Sequence, residues 1–571
     1  MIWARNLLFI ALSACGIALL GSSLLSRDRI ERPDSYNPKR IEQDDFAATL
    51  ERVNREFADH WRAADLKTAP KAEALTICRR ISLGLTGTVP SLEEIRALED
   101  VPPERRVEWW VSRLLEDRRY ADYVGERLTR AYVGVENGPF LVYRRRRFVT
   151  WLSERLASND PYNEIVEDLI ADKGLWTTNP AVNFLTVTAK QGEGNKPDEI
   201  RLAARTARAF LGMRIDCLQC HDNNLPRDFT LGDESDPHDG MQTDFHQLAA
   251  FYCEARTALY GIGDDPRQEY KYEYLYEDEP VVVEPKTPYL SDLPLAGKTR
   301  RQQLAGWVTH EQNKPFARAM VNRVWALLAG RPLLEPVDDI PLYGYTEDDV
   351  FSVGEQTRWW SGGQPFPPGM DALAEDFASH GYDMQRLIRL IAASDVYQLD
   401  SRADFPVTTE HESKWAVFPL SRLRPEQVAG GLIQASSLTT IDANAHIVLQ
   451  LARYFQENDF VERYGDTGED EFDERGGTIP QRLLMLNGNL VQERTENNLV
   501  NNAATRIALL APDNAKAVEA AYLAVLTRGP SPRELDHFTR NLAGSKGRDR
   551  SRRLEDLYWV LLNSTEFSWN H

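Results

Sequence analysis

Apolar residues recur at helical spacing along much of the chain, and this periodicity limits the fold more than any other feature. Phe46, Leu50, Val53, Phe57 and Trp61 fall at steps of four, three, four and four, on one face of an α-helix. Ser91, with Glu94 three positions on and Pro90 just before it, predicts a capping box at a helix that begins near Leu92. Asp383 predicts the cap of a helix with Met384, Leu387, Ile388 and Ile391 on one side. Arg318 to Ala329 reads as a helix closed by Gly330 and then Pro332. Leu554, Leu557, Tyr558, Leu561 and Leu562 share a further helical face. One stretch breaks the pattern. Tyr270, Tyr272, Tyr274 and Tyr276 alternate with Lys271, Glu273 and Leu275, a period of two that predicts a strand. With Val281 to Val283 it makes a small hairpin, and Pro285, Pro288 and Pro294 then mark a linker. The expected fold class is mainly α: two helix-rich domains joined by a small β-hairpin and linker, preceded by an N-terminal transmembrane helix.

At 571 residues the chain exceeds one ordinary core and predicts two or three globular units. The net charge of -20 repels phosphate backbones, which excludes nucleic acid as a partner. Leu7 to Leu25 carries no charge and, at 1.5 Å per residue, just spans a hydrocarbon core of roughly 30 Å. An uncleaved membrane anchor fits that length better than a signal peptide, whose apolar stretch is usually about 7–15 residues. Leu12-Ser13-Ala14-Cys15 also resembles a bacterial lipoprotein box. The expected location is the cell membrane, single-pass, with the bulk of the chain on the periplasmic side.

Five cysteines are too few for a disulfide scaffold. Cys78 and Cys253 lie in apolar, helix-like surroundings and are expected as buried reduced thiols. Only Cys217 and Cys220 are close enough to act together, and His221 follows them directly. Chance places this C-x-x-C-H pattern in roughly one per thousand chains of this composition, so coincidence is a poor account of it. Two thiols three positions apart each add to one vinyl group of a haem, and the next residue brings an imidazole to the iron. His221 is then the proximal ligand of haem c. Three other chemistries use the same residues. The pair makes a disulfide in an oxidising compartment, a dithiol redox motif, or half of a zinc site completed by His238, His246 or Cys253. A helix-like segment from about Glu199 to Leu211 runs into the motif, whereas dithiol redox motifs open a helix after a strand.

Distal candidates for the iron are Met241, His246 and His238; Met241 would raise the potential and either histidine would lower it. The Arg144–Arg147 run stands out in an acidic chain, either as a solvated helix start or as a contact for propionates or another anionic group. There is no G-x-S-x-G elbow, and His411-Glu412 has Trp415 where a zinc-protease helix needs its second histidine, so no catalysis is assigned.

These residues carry a family resemblance. Ile81 to Pro90 (ISLGLTGTVP) and Phe210 to Asp222 (FLGMRIDCLQCHD) resemble the cytochrome-c-like domain of unknown function abundant in planctomycetes. The segment from Asn313, NKPFARAMVNRVWALLAGRPLLEPVDDI, resembles the planctomycete-specific domain that usually follows it. HGYDMQRLIRLIAASDVYQLDS from His380, RLRPEQV from Arg422 and TIPQRLLMLNG from Thr478 extend the match. The resemblance implies two helix-rich domains in an exported protein named for its C-x-x-C-H. Relatives continue that motif with Asp-His-Pro-Phe-Asp, whereas this chain reads Asp222-Asn223-Asn224-Leu225-Pro226 and lacks the second histidine. The expected organisation is 1–26 as anchor or signal segment, 27–44 as polar tether, 45–260 as the cytochrome-c-like domain, 261–297 as hairpin and linker, and 298–571 as the planctomycete-specific domain. The expected role is a redox carrier or sensor with a redox or envelope protein as partner. The alternative is a non-enzymatic envelope scaffold in which the Cys pair is a disulfide or zinc clip.

Overall fold

The computed structural model describes residues 44–135, 138–190, 194–223, 230–274, 279–343, 366–441, 460–465, 472, 478–488, 491 and 502–571. The Leu7–Leu25 segment, nearly all of the tether, Tyr276, most of the stretch between Tyr343 and Phe366 and most of the acidic stretch after Gly465 lie outside these residues. Among the described residues no helix is long and apolar enough to cross a membrane.

The chain is mainly helical, with small two-stranded sheets. Helix α1 (Asp44–Ala63) forms where the apolar spacing predicts it, with Phe46, Val53, Phe57 and Trp61 buried. Helix α2 (Ala74–Thr86) is buried at every residue from Ile77 onward, so it runs through the interior rather than over it. Helix α3 (Leu92–Glu99) opens with the expected capping box: Glu94 N donates to Ser91 Oγ at 3.0 Å and Ser91 N to Glu94 Oε2 at 2.9 Å. Helices α4 (Arg118–Val133) and α5 (Arg145–Ala157) pack against each other. Helices α6 (Glu199–Thr206) and α7 (Gln242–Ala249) bracket the C-x-x-C-H in sequence.

Helix α8 (Lys314–Ala329) ends at Gly330 as expected, but begins four residues before Arg318 because Pro315 suits a first helical turn. Helices α9 (Met370–Ser379) and α10 (Met384–Ala393) follow, and Asp383 caps α10 by accepting from Arg386 N at 3.0 Å. The last helix, α11 (Gly547–Leu562), buries Leu554, Leu557, Tyr558, Leu561 and Leu562, the face its spacing marks.

Among the described residues the buried apolar side chains form two clusters. The larger runs from Phe46 to Phe418 and draws on both sides of the 261–297 segment. The smaller joins Leu83 and Val89 to residues from Leu423 to Phe567. Helix α2 therefore serves both. It lies against α8 because Gly84 has no side chain; a Cβ there would stand 2.8 Å from Leu328 Cα. Arg79 and Arg80 on α2 are fully buried and donate to carbonyls instead of carboxylates. Arg79 donates to Val525 O and Phe567 O, both at 3.2 Å. Arg80 donates to His571 O at 2.7 Å, Tyr397 O at 3.1 Å and Leu399 O at 2.7 Å, and lies 3.5 Å from the Phe418 ring centre. Burial lowers both guanidinium groups to about 10, which still leaves them charged at neutral pH.

Among the described residues there are four antiparallel pairs: β1 (Thr230–Asp233) with β2 (Asp236–Asp239), β3 (Ala255–Ala258) with β4 (Gly261–Asp264), β5 (Lys271–Tyr272) with β6 (Val281–Val282), and β7 (Ser421–Arg422) with β8 (Trp569–Asn570). The expected hairpin is the β5–β6 pair, with Tyr272 opposite Val281. The other three pairs have two to four residues per strand, too short for alternation to reveal.

Candidate functional site

Helix α6 is capped by Asp198, whose Oδ1 accepts from Ile200 N at 3.0 Å and Arg201 N at 3.2 Å. It continues as a π-helical turn, Ala207–Leu211, of the kind that often marks functional sites. Gly212 ends that turn in the left-handed region at φ 63°, where a side chain would be strained and would press on Ala319 and Ile340. The chain then reverses into the C-x-x-C-H. Ile340 N donates to Gly212 O at 2.6 Å. Arg214 Nε donates to Asp338 Oδ1 at 2.8 Å, and Arg208 bonds the other oxygen of the same carboxylate. Burial pushes Asp338 up, but Arg208, Arg323 and Arg214 outweigh it and hold the carboxyl below its usual range. The entry to the motif is thus clamped to the segment around residue 338.

Asp216–Gln219 form a 3-10 turn with Leu218 buried and Cys217 exposed. Cys220 N closes the turn on Cys217 O at 3.2 Å. Cys217 and Cys220 are both exposed and are not bonded to each other, while Cys78 and Cys253 are buried reduced thiols, as their surroundings suggest. Burial, with Asp216 and Asp339 nearby, pushes the Cys217 thiol above its ordinary value, so it has little thiolate character at neutral pH.

The Gln219 carbonyl, inside the motif, receives three donors: His246 Nε2 at 3.1 Å, Tyr272 Oη at 3.1 Å and Gln242 Nε2 at 3.2 Å. Since Nε2 of His246 faces a carbonyl it carries the proton, and Nδ1 accepts from the Tyr270 hydroxyl at 2.8 Å. The Tyr272 ring stacks on His246 with centres 3.4 Å apart and planes 22° from parallel; Tyr274 meets it edge-on at 5.7 Å. Burial lowers His246 to about 4, so it is neutral at ordinary pH. Beyond the motif, Gln242 N donates to Asp222 Oδ1 and Asn223 N to Gly240 O, both at 2.8 Å.

The expected site residues separate on this geometry. His221 is exposed, and its Nδ1 lies 2.8 Å from Asp222 O; that nitrogen donates to the carbonyl, and Nε2 faces no protein partner among the described residues. His246, expected as a distal candidate, has both ring nitrogens hydrogen-bonded and anchors the turn from behind. His238 Nε2 faces Asp244 Oδ2 at 3.1 Å. Met241 is 42% exposed and sits between Gly240 and Gln242, the two residues bonded to the end of the motif. Among the described residues no group of three or more His, Cys, Asp or Glu is placed to hold a metal ion. The donor set does fit haem c: two unpaired, exposed thiols and an imidazole with one committed and one available nitrogen. Residues 224–229, which follow the motif, lie outside the described residues.

Sequence reasoning missed the platform of Tyr270, Tyr272 and His246. Its signal was present in the period of two, which puts Tyr270, Tyr272 and Tyr274 on one face.

Residues 52–254 match the model of PSCyt2, a protein of unknown function (DUF1549). Residues 300–346 and 360–542 match that of PSD1, a protein of unknown function (DUF1553). No curated protein and no solved structure matches the chain. It therefore belongs to the proteins in which a PSCyt2 domain is followed by a PSD1 domain.

Proposed function

We propose that this is a membrane-anchored protein whose periplasm-facing body binds haem c and carries single electrons or senses redox state. Cys217 and Cys220 would hold the group as thioethers, with His221 Nε2 as the proximal ligand. The observation that carries this reading is the pairing of two exposed, unbonded thiols with an imidazole whose Nδ1 is already committed to a backbone carbonyl. When bound, the haem supplies a one-electron couple.

The chain's own residues do the positioning. The three donors on Gln219 O and the buried Leu218 fix the turn, so both sulfurs stay outward. The Asp338 clamp fixes its entry. Of the distal candidates, Met241 is favoured, because its neighbours are tied to Asp222 and Asn223 while both histidines are otherwise engaged. In this reading residues 45–260 carry the haem, 261–297 link, and 298–571 brace the motif through Asp338.

The test is export of the full chain alongside a haem-attachment system, followed by a denaturing gel stained for haem. A stained band that disappears in Cys217→Ala with Cys220→Ala is expected. An unstained band, with Cys217 and Cys220 joined as a disulfide, would overturn the proposal and favour the envelope-scaffold alternative.

A further inference from the structure

Phe140 and Leu141 stand side by side on a turn, 83% and 68% exposed, directly before helix α5. Single exposed apolar residues need no explanation, but two large adjacent ones beside a charge cluster do. The cluster is Arg144–Arg147, at the start of α5, whose first turn holds no acidic residue. Positive charge there opposes the helix dipole, so these arginines are not placed to stabilise the helix.

Two of them serve the protein itself. Arg144 donates to Tyr143 O at 2.8 Å and bonds Phe140 O, with its guanidinium 5.1 Å from the Phe140 ring centre. Arg145 donates to Gly134 O at 2.6 Å and to Glu126 Oε1 at 2.8 Å. Arg146 and Arg147 are exposed, and among the described residues neither has an acidic partner. On a chain of net charge -20 this patch is the complement of an anionic surface.

We propose that Phe140, Leu141, Arg146 and Arg147 form a second membrane contact that docks the folded body on a bilayer with anionic headgroups. The apolar pair would enter the interface, and the two arginines would meet headgroup phosphates. A bilayer suits this patch because it accepts a projecting apolar pair without a matching pocket. The proposal rests on the reading that Leu7–Leu25 is an anchor, which keeps the body within reach of the surface.

The test reconstitutes the full chain in vesicles of phosphatidylcholine, with or without phosphatidylglycerol. Flotation reports the anchor, and hydrogen exchange of residues 140–147 reports the patch. Exchange is expected to slow roughly 30-fold more in the anionic vesicles, the factor for two arginines at such a surface. Arg146→Gln with Arg147→Gln should remove the dependence on phosphatidylglycerol, and Phe140→Ser with Leu141→Ser should remove the protection. All four side chains are exposed, so unchanged melting of the variants is expected. A chain that floats with the vesicles but exchanges as fast in 140–147 as it does without lipid overturns the patch and spares the anchor. A chain that does not float overturns both.

Discussion

His221 and His246 lie in one small region and are built for opposite purposes. His221 is exposed on the motif turn, with one ring nitrogen held by a neighbouring carbonyl and the other open. His246 is fully buried behind the same turn, stacked on Tyr272, with both nitrogens used. One imidazole is left available to a ligand at the surface, and the other holds the turn from beneath. A ligand set holds its geometry only when supporting bonds lock it. Here the lock closes on a backbone carbonyl, that of Gln219, and leaves the Cys217, Cys220 and His221 side chains exposed.

That contrast can be broken in order of expected effect. Replacing both motif cysteines, Cys217→Ala with Cys220→Ala, should abolish covalent haem while changing stability by less than about 0.5 kcal/mol, because both are exposed. Denaturant unfolding beside a haem assay measures both. His246→Ala should do the reverse: a loss of about 3 kcal/mol in denaturant unfolding, from the cavity and the orphaned Tyr270 hydroxyl, with thiols still present for attachment. Asp338→Asn keeps the shape but removes the charge that Arg208 and Arg214 share, and should cost about 2 kcal/mol in the same assay.

The mildest test is pH. Folded His246 takes up its proton near 4, while an unfolded histidine does so near 6.5. Between those values the unfolded chain binds more protons, so this histidine's share of stability is full above 6.5 and is lost as pH falls toward 4. Melting curves across that window should show the decline, and His246→Phe should lessen it, leaving the part that belongs to His571, which burial also lowers to about 4.

Much of the local structure was legible in the sequence. The face of α1, the Ser91–Glu94 box, the Asp383 cap and the Gly330 stop are signals contained within a few residues. What covers those faces was not. Thr49 on α1 donates to Asp376 on α9, 327 positions away, and periodicity marks a buried face without naming its partner. The C-x-x-C-H was legible as chemistry, because its spacing is itself the signal. The role of His246 was not, because its tie to the motif is to a backbone carbonyl 27 positions earlier, and a carbonyl leaves no mark in sequence.

The proposed function requires that Cys217 and Cys220 be joined to a haem. The most direct measurement is the intact mass and visible spectrum of the full chain purified after export with a haem-attachment system. The account predicts a mass increase equal to haem, with absorption bands that survive denaturation and map to the Cys217–His221 peptide. A colourless chain of unmodified mass, or one lighter by the two hydrogens of a Cys217–Cys220 disulfide, would contradict it.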